Sequence, residues 1–367
     1  MSANSTRPKF FRSCACCEPS CLPASPARRT FLAGGAAALG LGTLATIDRI
    51  AIPAAAQPAP ARPRIDVHHH FIPQFHVDSM MAPGRRAGAP PPKWSPALSL
   101  EDMDKSGIAT SILSIAQPGI WYGNNVEESR NLARQLNEYG AKMGKDHPGR
   151  FGLFAVIAPP DVDGSLREIE YAFDTLKADG IGLLTSYQDK YLGDPSFAPV
   201  YEELNRRKAV IYVHPTTPDC CRGLVPGIPP GSIEYATDST RTIAHLVFSG
   251  TAMISDIRWI FSHSGGTLPF LSGRFVRLAE ERKLANLPNG PLPEFKKFHY
   301  AQGNTPGQIA ALLKMVPISQ VMYGTDFPFR DGAEVNQGIA AWGFSSDDLR
   351  AVERENAQKL LPRVKAG

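Results

Sequence analysis

The stretch IDVHHHFIP, residues 65–73, places three adjacent histidines at the end of an apolar run. Read as a strand, it alternates faces, so His68 and His70 point one way and His69 the other. Two imidazoles on one face make half of a metal site, because neutral imidazole is the commonest protein ligand for zinc and its neighbours. Taken alone the pattern also fits a surface histidine cluster or satisfied core histidines. What lies downstream decides between these readings.

From Arg64 onward, short apolar β-branched runs alternate with helical patterns, which predicts a parallel sheet of βα units. Strands are expected near 64–70, 108–115, 150–157, 181–186, 208–214, 257–263, 298–301 and 318–326. Helices are expected near 100–106, 125–145, 164–178, 196–207, 238–250, 268–286, 305–315 and 347–361. Eight such units predict a single (β/α)8 TIM barrel over residues 64–367. The segment from Pro73 to Pro96, rich in Pro and Gly, is expected to be a long loop after the first strand, on the face where barrels carry their sites.

Three more strand ends carry reactive side chains. VIYVHP ends the fifth strand at His214, WIFSHSGG ends the sixth at His263, and VMYGTDFPF ends the eighth at Asp326. Barrel closure sets the eighth strand beside the first, which brings Asp326 to the His68/His70 pair. His68, His70, His214 and Asp326 then form a mixed nitrogen and oxygen donor set suited to Zn2+, with Mn2+ as the alternative. Separately, His214 reads equally as a buried structural histidine and Asp326 as a turn cap. Gly265 and Gly266 permit a tight turn or a close backbone approach beside His263.

The first 56 residues have a different character. Arg28-Arg29-Thr30-Phe31-Leu32 precedes a Gly/Ala/Leu stretch to Ile47 and then Ala54-Ala55-Ala56, the pattern of a twin-arginine export signal cleaved before Gln57. Residues 57–63 read as a linker, and the expected location is the periplasm. The apolar part is short and mild, so no stable membrane span is expected, an uncleaved anchor being the alternative. Removing the leader's six basic and two acidic residues from totals of 39 and 35 leaves 33 of each. A neutral mature chain gives no reason to expect nucleic acid or an anionic membrane as partner. Cys14, Cys16, Cys17 and Cys21 belong to the leader, and Cys220-Cys221 remain as two thiols or a vicinal disulfide.

DVHHHF, YVHP, SHSGG and YGTDFPF, in this order, resemble the amidohydrolase-related family that contains aminocarboxymuconate-semialdehyde decarboxylase and γ-resorcylate decarboxylase. LNRRKAVIYVHP and HSGGTLPFL look closest to 6-methylsalicylate decarboxylase-like members. The resemblance spans nearly the whole mature chain. It implies a metal-dependent, non-oxidative decarboxylase on a distorted barrel, often a homodimer, acting on a small carboxylic acid. It also implies that His68, His70, His214 and Asp326 hold the metal and that His263 is the catalytic histidine. Asp326 is the candidate proton carrier, and Arg274 falls where a relative presents an arginine to the neighbouring subunit's substrate. As a plain residue, Arg274 reads as a helix-surface arginine. Where relatives carry an Asp-Thr-Ala-like run at the end of the seventh strand, this chain has Ala301-Gln302-Gly303, which predicts a different polar wall.

The leading expectation is decarboxylation of a hydroxylated aromatic or unsaturated carboxylic acid, salicylate-like. The alternative is hydrolysis of a lactone or amide on the same barrel, and the reading from another class is a metal- or substrate-binding protein without turnover. His69, His245, Trp94 and Phe327 read as packing or supporting residues, and Asp238 and Arg241 as a helix cap and a solvated charge.

Overall fold

A computed structural model describes residues 63–364 apart from 86–89, 124, 255 and 302–304. The expected export signal and nearly all of the expected linker lie outside the described residues, as do Gln302 and Gly303.

Eight parallel strands run in the order β1 (Arg64–His70), β2 (Ile108–Ser114), β3 (Phe151–Val156), β4 (Gly180–Leu184), β7 (Val210–His214), β8 (Arg258–Phe261), β9 (His299–Ala301) and β10 (Val321–Met322). A two-stranded hairpin, β5 (Ser186–Tyr187) with β6 (Lys190–Tyr191), follows β4. The chain just past β10 closes the barrel against β1 through Val67 N–H to Tyr323 O at 3.0 Å, Asp326 N–H to His68 O at 2.7 Å and His70 N–H to Phe327 O at 2.8 Å. These are the last bonds that bring Asp326 to the histidine pair.

Alternation sorts the strand side chains into two layers. Inward-facing Ile65, Val67, Ile112, Phe154, Val210, Tyr212, Ile260 and Met322 form one cluster with Ala357, Leu360 and Leu361 of the C-terminal helical run, packed against the first halves of the strands. Phe154 stacks on Tyr212 at 5.2 Å, and β4 carries Gly180 and Gly182 at inward positions, where a Cβ would meet Phe154. Outward-facing Ile181, Leu183, Ile211, Val213, Trp259 and Phe261 join the larger cluster under the helices. Strands buried on both faces are expected for a parallel sheet, and they account for the near-continuous apolar runs.

One irregularity matters for the site. Strict alternation that sends Ile65 and Val67 inward would send His69 inward with them. The register of β1 against β2 slips between Asp66 and His69, which rephases the strand. His68 and His70 therefore face in, and His69 faces out toward the helices.

Three of the surrounding helices on the first half of the barrel begin with side-chain caps, each worth about 1 kcal/mol. Ser95 caps α2 (Pro96–Ser106), Asn125 caps α3 (Val126–Asp146) and Asp161 caps α4 (Val162–Glu170). Helix α1 (Gln74–Met80) occupies the start of the segment expected to be loop, and α5 (Ala198–Arg206) follows the hairpin. Helix α6 runs from Gly231 to Phe248 rather than starting at 238, with Pro230 as its N-cap, its φ of −54° fixed near the helical value by the ring. Helix α7 (Leu268–Arg282) follows the SHSGG turn. Among the described residues no helix is long and apolar enough to cross a membrane.

Candidate active site

His68 and His70 end β1, His214 ends β7, and Asp326 sits in the turn after β10. One donor atom from each lies within 4.8 Å of all the others. His68 Nε2 is 3.1 Å from His70 Nε2, and Asp326 Oδ1 is 3.1 and 3.2 Å from the same two nitrogens. Donors sharing one ion at about 2.1 Å sit roughly 3.0–3.4 Å apart, so the spacing fits a metal.

Hydrogen bonding shows that the nitrogens are free to bind one. His214 Nδ1 faces Pro215 O at 2.9 Å and His70 Nδ1 faces Ser114 O at 3.3 Å. A carbonyl only accepts, so each Nδ1 carries the ring proton and each Nε2 keeps its lone pair. Burial lowers the pKa of His68 to about 4 and that of His214 well below its ordinary value, which keeps both rings neutral. Asp326 Oδ1 is buried and accepts no hydrogen bond, despite lying among those nitrogens. An orphaned carboxylate oxygen facing lone pairs is a donor set that a cation completes.

The other oxygen of Asp326 has a different neighbour. Oδ2 is 3.4 Å from His263 Nε2, and His263 Nδ1 is 3.0 Å from Ser262 Oγ. Ser262 Oγ donates to Val213 O at 3.1 Å, so it accepts from His263, and the ring proton belongs on Nδ1. Nε2 and Oδ2 thus share whatever further proton the pair holds. Both residues have left-handed backbone, φ +51° at His263 and +69° at Asp326, conformations that L-residues adopt at a cost. The turn under His263 demands glycine, because a Cβ on Gly266 would sit 1.9 Å from Ala236 O on α6.

Behind the ligands, a one-way chain fixes β1. Trp94 Nε1–H donates to Ser99 Oγ at 2.9 Å, Ser99 lies 2.9 Å from His69 Nε2, and His69 Nδ1 lies 3.1 Å from Asp66 Oδ2. Asp66 also accepts from Thr325 Oγ at 2.6 Å and from the His68 and Thr325 amides at 3.0 Å each. One buried carboxylate therefore ties both arms of the metal site together. His69, Trp94 and Phe327 are packing and supporting residues, Phe327 stacking on His69 at 4.9 Å.

The structure brings together five of the six residues singled out in the sequence. Arg274 stands apart, exposed on α7 with no ion pair or hydrogen bond among the described residues. Asp238 is not a helix cap. The earlier start of α6 puts it mid-helix and fully buried. His245 is exposed, and Cys220 and Cys221 are free thiols. Sequence reasoning missed Tyr235, whose ring lies 5.8 Å from His214 and 6.0 Å from His263, and Phe329, 5.7 Å from His70. It also missed a cavity of about 590 Å³ that opens at Thr216, two residues past His214. Segments following β1, β2, β4 and β7 line it, among them Arg85, Gln117, Trp121, Ser186 and Arg222.

The Amidohydrolase family model matches residues 65–363. The chain is 37% identical over 326 residues to a decarboxylase of Penicillium terrestre, macB, covering 82% of this chain and 96% of that one. It is 32% identical to the 6-methylsalicylic acid decarboxylase acuB of Aspergillus aculeatus, covering 82% and 97%. The fold is similar to that of a 5-carboxyvanillate decarboxylase from Novosphingobium aromaticivorans solved with manganese, at 21% identity and a TM-score of 0.70 over 82% of this chain and 96% of that one.

Proposed function

The chain belongs to the Amidohydrolase family, and from that membership and the site geometry we propose that it is a metal-dependent, non-oxidative decarboxylase of a hydroxylated aromatic carboxylic acid. The observation that carries the mechanism is the division of Asp326, Oδ1 toward the histidines and Oδ2 toward His263.

His68, His70, His214 and Asp326 would hold a divalent metal, zinc in our reading with manganese as the alternative, which when bound would supply a Lewis acid for the substrate. The protein's residues handle the proton. His263, fixed through Nδ1 to Ser262, shares one proton between Nε2 and Asp326 Oδ2, and the pair delivers it to the ring carbon that bears the carboxylate. The bond from that carbon to the carboxylate then breaks, its electron pair restores the aromatic ring, and CO2 leaves. No water is consumed and nothing is oxidised. The half-buried Tyr235 ring covers His214 and His263 and narrows access for water. Its hydroxyl, pushed up to about 12 by burial, stays protonated.

The test is a panel of salicylate and dihydroxybenzoic acids run in heavy water. We expect one CO2 per product and one deuterium at the vacated carbon. No CO2 from the panel, with turnover of a lactone or amide instead, would replace the decarboxylase with the hydrolase. Two further readings accompany the proposal. A homodimer presents Arg274 to the partner's substrate, tested by sedimentation of wild type against Arg274→Glu. The leader directs export to the periplasm and is removed before Gln57, tested by the mass of the protein recovered from that compartment.

A further inference from the structure

Next to the metal site on the same barrel face is a second cluster built on a buried acid. Asp238 has no exposure to solvent, and it receives hydrogen bonds from three elements. Tyr191 of the hairpin donates to Oδ1 at 2.6 Å. Thr185, at the end of β4, and Thr216, just past β7, both donate to Oδ2, the latter at 3.0 Å. Arg241 lies 3.6 Å from Oδ1 as the counter-charge. Ser186 Oγ is 2.9 Å from Thr216 Oγ and 3.5 Å from Asp238 Oδ2.

Counting protons gives this wall a polarity. A carboxylate only accepts, so it draws the Thr185 and Thr216 hydroxyl protons inward as charge-assisted bonds. Thr185 Oγ also accepts the Thr216 amide proton at 2.9 Å. The Ser186 proton has Thr216 Oγ or Asp238 in reach, and it too points inward. Of this group, Ser186 and Thr216 line the cavity of about 590 Å³. With their protons committed behind them, they show that cavity lone pairs backed by a buried negative charge. Of the two cavity arginines, Arg222 pairs with Asp219 and Arg85 pairs with Glu128 but keeps Nη1 without a partner among the described residues; Arg85 comes from the segment after β1 and is not part of this wall.

We propose that Ser186 and Thr216, polarised by Asp238, form a specificity wall that accepts a hydrogen bond from a hydroxyl group on the part of the substrate away from the metal, and that selects against a methyl ether or a second carboxylate in that place. The inference rests on the decarboxylase reading and deepens it by naming the substrate class: an aromatic acid with a hydroxyl beyond the one beside its carboxylate. An ether offers no proton, and a carboxylate brings a second negative charge toward Asp238. Each loses the bond that a hydroxyl makes.

The test compares the dihydroxybenzoic acids, their mono-methyl ethers and hydroxyisophthalic acid on zinc-loaded full-length enzyme. Both kcat/KM and the affinity of each compound by calorimetry are measured. For wild type, we expect at least one dihydroxy isomer to exceed its ether and the dicarboxylate by roughly tenfold, the discrimination of one good hydrogen bond. Ser186→Ala should compress that ratio to about twofold, mainly through KM. Asp238→Asn adds an amide donor behind the wall and should move the preference toward the ether and the dicarboxylate. A melting curve and a bound-metal count accompany each variant, and if Asp238→Asn does not fold, Thr216→Val supplies the second reading of the ratio. An unchanged ratio in Ser186→Ala, or a wild-type preference for the ether or dicarboxylate, overturns the wall. If no compound releases CO2 yet the affinities follow the predicted order, the decarboxylase reading fails and the wall survives.

Discussion

Two acids stand on the same face of this barrel, Asp238 fully buried and Asp326 half-buried with its Oδ1 out of reach of solvent, and they are treated in opposite ways. Asp326 has one oxygen without any hydrogen bond and three imidazoles nearby, of which His70 and His214 save their Nε2 lone pairs. Asp238 is surrounded by donors, and nothing in its cluster is left over. An unpaired buried carboxylate oxygen costs about 1–3 kcal/mol or more, so a fold that keeps one has a use for it. A satisfied carboxylate lowers the energy of its own surroundings and instead orients the hydroxyls around it. The comparison suggests how to separate a binding centre from a wall. The first is incomplete by its hydrogen-bond count, and the second is complete but polarised.

Removing a ligand from the incomplete cluster tests this contrast with the largest effect. His214→Ala should drop bound metal from about one per chain to a small fraction. It should also reduce turnover by more than the roughly hundredfold that loss of a supporting partner costs. Metal content by elemental analysis alongside CO2 release checks this, and a variant with full metal would break the ligand assignment. His263→Asn sharpens the same contrast from the other side. The metal should stay, while kcat falls by about a hundredfold or more, the usual contribution of a positioned acid or base. Near-wild-type turnover would remove His263 from the mechanism.

A smaller effect follows from the neutral rings. His68 has its pKa lowered from 6.5 to about 4 by burial, and burial lowers His214 well below its ordinary value. Below pH 6.5 the unfolded chain takes up protons that the folded chain refuses, so stability of the metal-free protein should fall as pH drops from about 6.5 to 4. Above that window the contribution no longer changes. Added zinc should raise the melting temperature at pH 7, and the gain should shrink on acidification because bound imidazoles must stay neutral. A melting temperature flat across the window, with and without zinc, would contradict the buried neutral cluster.

The two regions also differ in how far they could be read in advance. The metal cluster was legible because each member sits at a strand tip within a distinctive short motif, and barrel closure supplies the distances among them. The phase of β1 was legible only in part. Alternation separates His69 from its neighbours, but the slip that lets Val67 and His68 both face inward depends on pairing with β2. The Asp238 cluster was not legible. Its donors lie 22 to 53 residues away in sequence, and single Ser and Thr residues carry no pattern. Reading α6 as starting at 238 then turned a buried hub into a surface cap. The helix Gly332–Trp342 was also missed, because its Gly- and Ala-rich sequence has little periodic signal, although Asp331 caps it.

The central claim is that Asp326 and its three histidines hold one metal on which decarboxylation depends. The most direct measurement strips the purified protein with a chelator and titrates zinc, and separately manganese, back in while CO2 release from a dihydroxybenzoic acid is followed. The account predicts negligible release without metal, then a linear rise that breaks at about one equivalent per chain for at least one of the two ions. Full release from metal-free protein, or a rise that ignores the first equivalent of either ion, would contradict it.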